Sequence, residues 1–107
     1  MNTVITRENA IHKNPVPGAD GRIVHGTALT LATWTFAAGA SLPAHSHPHE
    51  QITTVVSGTL KLRIGESEYT MDTGDSAVIP GNVEHEATAI SDVTVADAFY
   101  PVREDLR

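Results

Sequence analysis

Three histidines alternate with other residues in His45-Ser-His47-Pro-His49-Glu50-Gln51, behind Gly39 and Pro43 and ahead of the β-branched run Ile52-Thr-Thr-Val-Val56. Side chains alternate faces along an extended strand, so a His-x-His pair aims both rings at one side. Two imidazole nitrogens converging from one wall are what a divalent ion needs. His85 is the candidate partner, preceded by a second punctuated stretch at Pro80-Gly81 and brought opposite by antiparallel pairing. Pro48 has no N–H for a ladder, so strict alternation is not assured beyond it. Parity therefore leaves both His49 and Gln51 open as the next inward residue. On ligand chemistry alone His49 is the better donor, since imidazole outranks a neutral amide oxygen for most transition metals. His12 and His25 have no companions in sequence and read as surface or hydrogen-bonded histidines.

The elements that must position these residues are short strands. Ala28 to Phe36 reads as a strand of mixed faces, with Leu29 and Leu31 on one parity and Trp34 and Phe36 on the other; this predicts burial on both sides or a bulge. Leu60, Leu62 and Ile64 alternate with Lys61 and Arg63, the clearest amphipathic strand in the chain. Gly65-Glu66 predicts a hairpin tip, Tyr69 and Met71 a short strand, and Asp72-Thr-Gly-Asp75 a turn. Ala77-Val-Ile79 runs into Pro80. His85, Ala87 and Ala89 share one parity, and Val93, Val95, Asp97 and Phe99 share another. Residues 1 to 28 are weakly patterned: Val4-Ile5 predicts a short strand able to pair with a sheet edge, while Asn14-Pro-Val-Pro-Gly18 and Asp20-Gly21 read as turns. No segment has a helical period. Strands broken by turns about every ten residues predict an all-β antiparallel sandwich or barrel.

The 107 residues suit one domain over 1–107, with an arm over about 1–28, a barrel core over 29–100 and a tail over 101–107. A net charge of −6 argues against nucleic-acid and anionic-membrane partners, both of which need a basic face. Without cysteine there is no disulfide, thiolate site or cysteine nucleophile. Met1 to Ala10 has no apolar run, so neither a signal peptide nor a membrane span is expected, and the expected setting is cytoplasmic.

Two patterns carry a resemblance. Gly39, five residues, His45-x-His47, three residues, Gln51, six residues, Gly58 resembles the first cupin motif. Gly74, five residues, Pro80, then His85 resembles the second. The resemblance implies a double-stranded β-helix (jelly-roll) barrel holding one divalent metal by His45, His47, Gln51 and His85, with His49 a neighbour. Nickel, manganese, zinc, cobalt and iron all suit that set. Three positions depart from the family pattern: Gln51 stands for the usual glutamate, Asn82 for a glycine, and Ala89 for an asparagine. An amide in place of a carboxylate leaves the site one charge more positive, which favours a Lewis acid for anionic oxygens over an oxygen-activating iron site.

The string His47-Pro-His-Glu-Gln51 and the ending Asp97-Ala-Phe-Tyr-Pro-Val-Arg103-Glu-Asp are similar to the small pectin-degradation cupins of the KdgF type. That similarity implies ketonisation of a 4,5-unsaturated uronate, with Asp97, Phe99 and Arg103 lining the pocket. Asp97 would move the proton, Arg103 would fix the substrate carboxylate and Phe99 would pack the sugar face. A small anionic molecule such as a sugar acid is the implied ligand; the homodimer expected here comes instead from the short N-terminal strand, which can pair with a sheet edge of a neighbouring copy. An inward carboxylate at the end of an apolar strand is costly unless paired or functional. A structural Asp97–Arg103 ion pair, and Phe99 as plain core, are the alternatives. A metal-dependent dioxygenase and a non-catalytic sensor cupin are the competing functions.

Overall fold

The computed structural model describes residues 3–107. Ten strands follow one another: β1 (Ile11–Lys13), β2 (Ala19–His25), β3 (Thr30–Phe36), β4 (Ser41–His45), β5 (Glu50–Ser57), β6 (Leu60–Ile64), β7 (Ser67–Met71), β8 (Ser76–Ile79), β9 (His85–Ala89) and β10 (Val93–Tyr100). They form a six-stranded sheet in the order β1-β2-β3-β10-β5-β8 and a four-stranded sheet in the order β4-β9-β6-β7. Every pairing is antiparallel. This is the expected all-β jelly-roll.

Alternation fixes what lies between the sheets. Ile23, Trp34, Phe36, Val55, Val93, Val95 and Phe99 of the larger sheet face Leu60, Leu62, Met71 and Ala89 of the smaller one. Full burial of an aliphatic side chain such as Ile23 or Ile79 is worth about 1.5–3 kcal/mol. The parities read for β6, β9 and β10 hold, with Asp97 on the inward face of β10.

Three local readings are corrected. β3 does not switch faces: Thr30, Ala32, Trp34 and Phe36 all point inward, while Leu29 and Leu31 are about half exposed. Asp20-Gly21 is no turn but the interior of β2, a full strand paired along β3. Gly21 stands opposite Trp34, and a Cβ there would come within 2.2 Å of the indole ring. Glycine at that point makes room for an aromatic face rather than for a bend. The first strand is Ile11–Lys13, whereas Val4-Ile5 forms none.

Past β10 the tail folds back. The Arg103 backbone N–H donates to Thr30 Oγ1 at 2.8 Å, a short 3-10 turn spans Glu104–Leu106, and Leu106 packs against the core.

Candidate metal centre

The His-x-His pair is built differently from two successive strand positions. β4 ends at His45, and a register irregularity between Leu42 and His45 brackets Pro43. His47 lies beyond the strand, in the connection to β5. That connection is shaped by the Pro80-Gly81-Asn82 turn pressed against it. A Cβ on Gly81 would sit 2.4 Å from the Pro48 carbonyl oxygen, so only glycine allows the approach. Asn82 has φ 66°, the left-handed conformation that asparagine tolerates, and its N–H donates to the His47 carbonyl at 2.7 Å. Asparagine thus meets the backbone requirement of the family's glycine.

β9 brings His85 directly opposite His45 in the ladder. Ring centroids are 4.3 Å apart for His45–His85, 5.0 Å for His47–His85 and 5.8 Å for His45–His47. One nitrogen from each of the three lies within 4.8 Å of the others. His47 and His85 are buried, and His45 stands at the mouth.

Each Nδ1 faces a backbone carbonyl: His45 to Pro43 at 2.8 Å, His47 to His49 at 3.1 Å and His85 to Val83 at 3.0 Å. Only a protonated Nδ1 satisfies those carbonyls, which assigns the bare lone pair to Nε2 in all three rings. Nε2 of His85 is buried and meets no hydrogen-bond partner among the described residues. Burial holds the His47 imidazole down to a pKa of about 4, helped by the positive charge of Arg103 and by His85. Burial also holds His85 below the usual histidine range. Both rings are therefore neutral at neutral pH, the form that binds metal.

Gln51 faces this group from β5. β5 begins at Glu50, so Gln51, Thr53 and Val55 all face inward. Gln51 Oε1 lies 3.1 Å from His47 Nε2. The Gln51 amide nitrogen donates to Thr53 Oγ1 at 2.9 Å, and Thr53 Oγ1 donates to Asp97 Oδ1 at 2.7 Å. Two lone-pair atoms, His47 Nε2 and Gln51 Oε1, thus face each other, an arrangement that a cation between them relieves. With the unpartnered Nε2 of His85, this donor set fits a divalent transition ion. His49 stays outside the three-ring cluster, its ring 5.5 Å from that of His47.

Asp97 is buried opposite Thr53 in the β10–β5 ladder, and Phe99 is opposite Gln51. Burial pushes the Asp97 carboxyl up to about 6 against the opposing pull of hydrogen bonds from Thr53 and Gln51 and the charge of Arg103. Asp97 makes no salt bridge among the described residues, so the alternative of an Asp97–Arg103 ion pair is not what forms. Arg103 instead forks onto Asp105, Nε to Oδ1 at 2.9 Å and Nη2 to Oδ2 at 2.7 Å. This holds the Asp105 carboxyl down to about 2. His45, Gln51, His85, Asp97, Phe99 and Arg103 all line one cavity of about 310 Å³. Thr53 and Asp105 carry no role in the sequence motifs, although each sits two positions from a residue that does.

The cupin domain model matches residues 32–98. No curated protein sequence matches the chain. Among solved structures, KdgF from Halomonas sp. is 27% identical, with 100% of each chain covered and a TM-score of 0.90. A RmlC-like cupin from Shewanella frigidimarina NCIMB 400 is 24% identical over 100% of this chain and 97% of that one, also with a TM-score of 0.90. Salicylate 1,2-dioxygenase from Pseudoaminobacter salicylatoxidans is 14% identical, covers 81% of this chain and 26% of its own, and has a TM-score of 0.78. The last two likenesses are likenesses of fold alone.

Proposed function

The chain belongs to the cupin family, and from that premise we propose that it is a metal-dependent tautomerase acting on a small unsaturated uronate or a similar anionic, sugar-derived substrate. The observation that carries the reading is the buried line His47–Gln51–Thr53–Asp97, which joins a lone-pair-rich donor set to a carboxyl without a salt bridge, with Gln51, Thr53 and Asp97 lining one cavity. A divalent ion held by His45, His47, Gln51 and His85 would supply positive charge against an oxyanion developing on the substrate.

Ketonisation of a cyclic 4,5-unsaturated uronate to its linear keto form breaks the anomeric O–H bond and the bond from C1 to the ring oxygen, while carbonyls form at C1 and C5 and the C4=C5 pair becomes a new C–H bond at C4. Asp97 carries that proton. A carboxyl near pKa 6 is mostly ionised at neutral pH, ready to take the hydroxyl proton, yet basic enough to hold and return it. Phe99 forms an apolar wall for the sugar face. Arg103 has Nη1 free of hydrogen bonds among the described residues, and that side of the guanidinium serves the substrate carboxylate. The similarity to KdgF supports this choice of substrate class. A homodimer in the cytoplasm belongs to the same reading. The exposed row Leu31, Ile52 and Val78, in register across the outer face of the larger sheet, supports pairing of two copies.

The test incubates metal-loaded protein with a 4,5-unsaturated uronate while ultraviolet absorbance and dissolved oxygen are followed together. Loss of the enol absorbance without oxygen uptake is expected. Oxygen uptake would instead make the protein a dioxygenase, and saturable binding without turnover would make it a sensor.

A further inference from the structure

Thr53 is absent from every motif that drew attention to the site, yet it sits between the two groups that matter. It is buried on the inward face of β5, two positions from Gln51, and directly opposite Asp97 in the β10 ladder. Its hydroxyl owns a single proton. That proton goes to Asp97 Oδ1 at 2.7 Å. What Thr53 Oγ1 has left for Gln51 is only lone pairs, and only the NH2 end of an amide can fill them. Gln51 Nε2 does so at 2.9 Å. The Oε1 end is then obliged to point the other way, at 3.1 Å from His47 Nε2.

A glutamate would not need this help, since its two oxygens are equivalent. A glutamine does: rotated by half a turn it would present two N–H donors to the imidazoles, and an N–H cannot ligate a cation. We propose that Thr53 is a positioning residue that holds the Gln51 amide with its oxygen toward the three imidazoles, making the amide competent as a metal donor. The inference rests on the reading that His45, His47, Gln51 and His85 hold a divalent ion; it does not depend on the substrate.

The experiment measures nickel(II) affinity by competition with a chelating dye for the wild type, Thr53→Val, Thr53→Ser, Gln51→Glu and the Gln51→Glu/Thr53→Val double variant. Valine keeps the volume of threonine and removes the hydroxyl. Thr53→Val is expected to weaken binding about 10- to 100-fold, the range found when groups that orient metal ligands are removed. Thr53→Ser restores binding, and in the Gln51→Glu background the valine substitution has a much smaller effect. An equal loss in both backgrounds would mean that Thr53 is merely structural, and wild-type affinity in Thr53→Val would overturn the inference while leaving the metal site intact. If the wild type itself binds no nickel, zinc or other divalent ion, the metal reading falls first. Should the valine variant fail to fold, the wild type still decides the matter. Nuclear Overhauser contacts from the Gln51 amide protons to Thr53 support the assigned orientation, and contacts to the His47 ring instead refute it.

Discussion

The guanidinium of Arg103 lies over the ring of Phe99, its central carbon 4.6 Å from the ring centroid. The same group is gripped from the tail by Asp105, so strand β10 and the 3-10 turn after it fix one cation at the cavity edge. A planar fork that stacks on a ring and chelates a carboxylate at once is beyond a lysine. Arg103→Lys and Arg103→Ala should therefore both weaken kcat/KM for the uronate by about 10- to 100-fold, in line with about 1.5–3 kcal/mol for hydrogen bonds to a charged group. Steady-state kinetics with parallel metal analysis check this. Metal content that fell along with activity would show that Arg103 acts on the metal centre rather than on the substrate.

Asp97→Asn separates function from stability. It should abolish turnover and keep the metal, because the amide oxygen still accepts from Thr53 while the proton carrier is gone. In the metal-free protein the buried carboxyl also gives stability a pH dependence. An unfolded aspartate titrates near 3.9 and the buried one near 6. Between those values the folded carboxyl keeps a proton that the unfolded one has released, so the Asp97 contribution to stability falls as pH rises from about 4 to about 6 and then levels off, while the depressed His47 and His85 push stability the other way over the same range. Thermal melts of the metal-free wild type and Asp97→Asn across that range isolate the Asp97 contribution, because both histidines are common to the two proteins: the wild type should lose ground to the variant as pH rises from about 4 to about 6, leaving the variant the more stable of the two at neutral pH. A difference between wild type and variant that stays flat across those pH values would contradict the assignment.

The sequence made the barrel and the three-histidine cluster legible because period-two patterning and punctuating Gly and Pro residues are local signals, whereas parity leaves His49 and Gln51 open and only the cupin resemblance points to Gln51. Val93, Val95, Asp97 and Phe99 sit inward as their spacing requires. What was not legible depends on long-range partners. Gly21 looks like a turn until Trp34 of the neighbouring strand is laid across it. Leu29 and Leu31 look like core until β10 pairing fixes the parity of β3 and turns them outward. In sequence, His45 and His47 look like alternate positions of one strand. They converge by another route, a strand end followed by a connection shaped by Gly81 and Asn82. The pairing of Arg103 with Asp105 rather than Asp97 follows from the turn of the tail, which no strand periodicity encodes.

Metal should also act as a stabiliser. A ligand that binds only the folded state contributes about 2.7 kcal/mol when present at a hundred times its Kd. For a domain of this size that corresponds to roughly 10–20 °C in Tm. Chelator treatment of the wild type should remove this increment, and His85→Ala should show none on metal addition. Scanning calorimetry with and without nickel(II) is the measurement. An unchanged Tm in the wild type at saturating metal would remove the site from consideration.

Gly21→Ala is the sharpest test of how the cavity wall is built. The added Cβ would lie 2.2 Å from Trp34 Cζ3 and 2.4 Å from Cε3, distances that atoms do not share. Trp34 is buried between neighbours and lines the same cavity as Asp97, so it has little room to retreat. Overpacking of this kind costs about 1–3 kcal/mol, and the displaced indole must enter the cavity or spread β2 from its contact with the ring. Lower stability, together with a weaker KM for the uronate at unchanged metal affinity, is expected from denaturant unfolding and kinetics. A turn at Asp20-Gly21 would tolerate alanine differently, straining the backbone without moving Trp34. The intrinsic fluorescence of Trp34, the single tryptophan of the chain, distinguishes the two: it should shift in Gly21→Ala if the ring moves and stay unchanged if the glycine serves only the backbone.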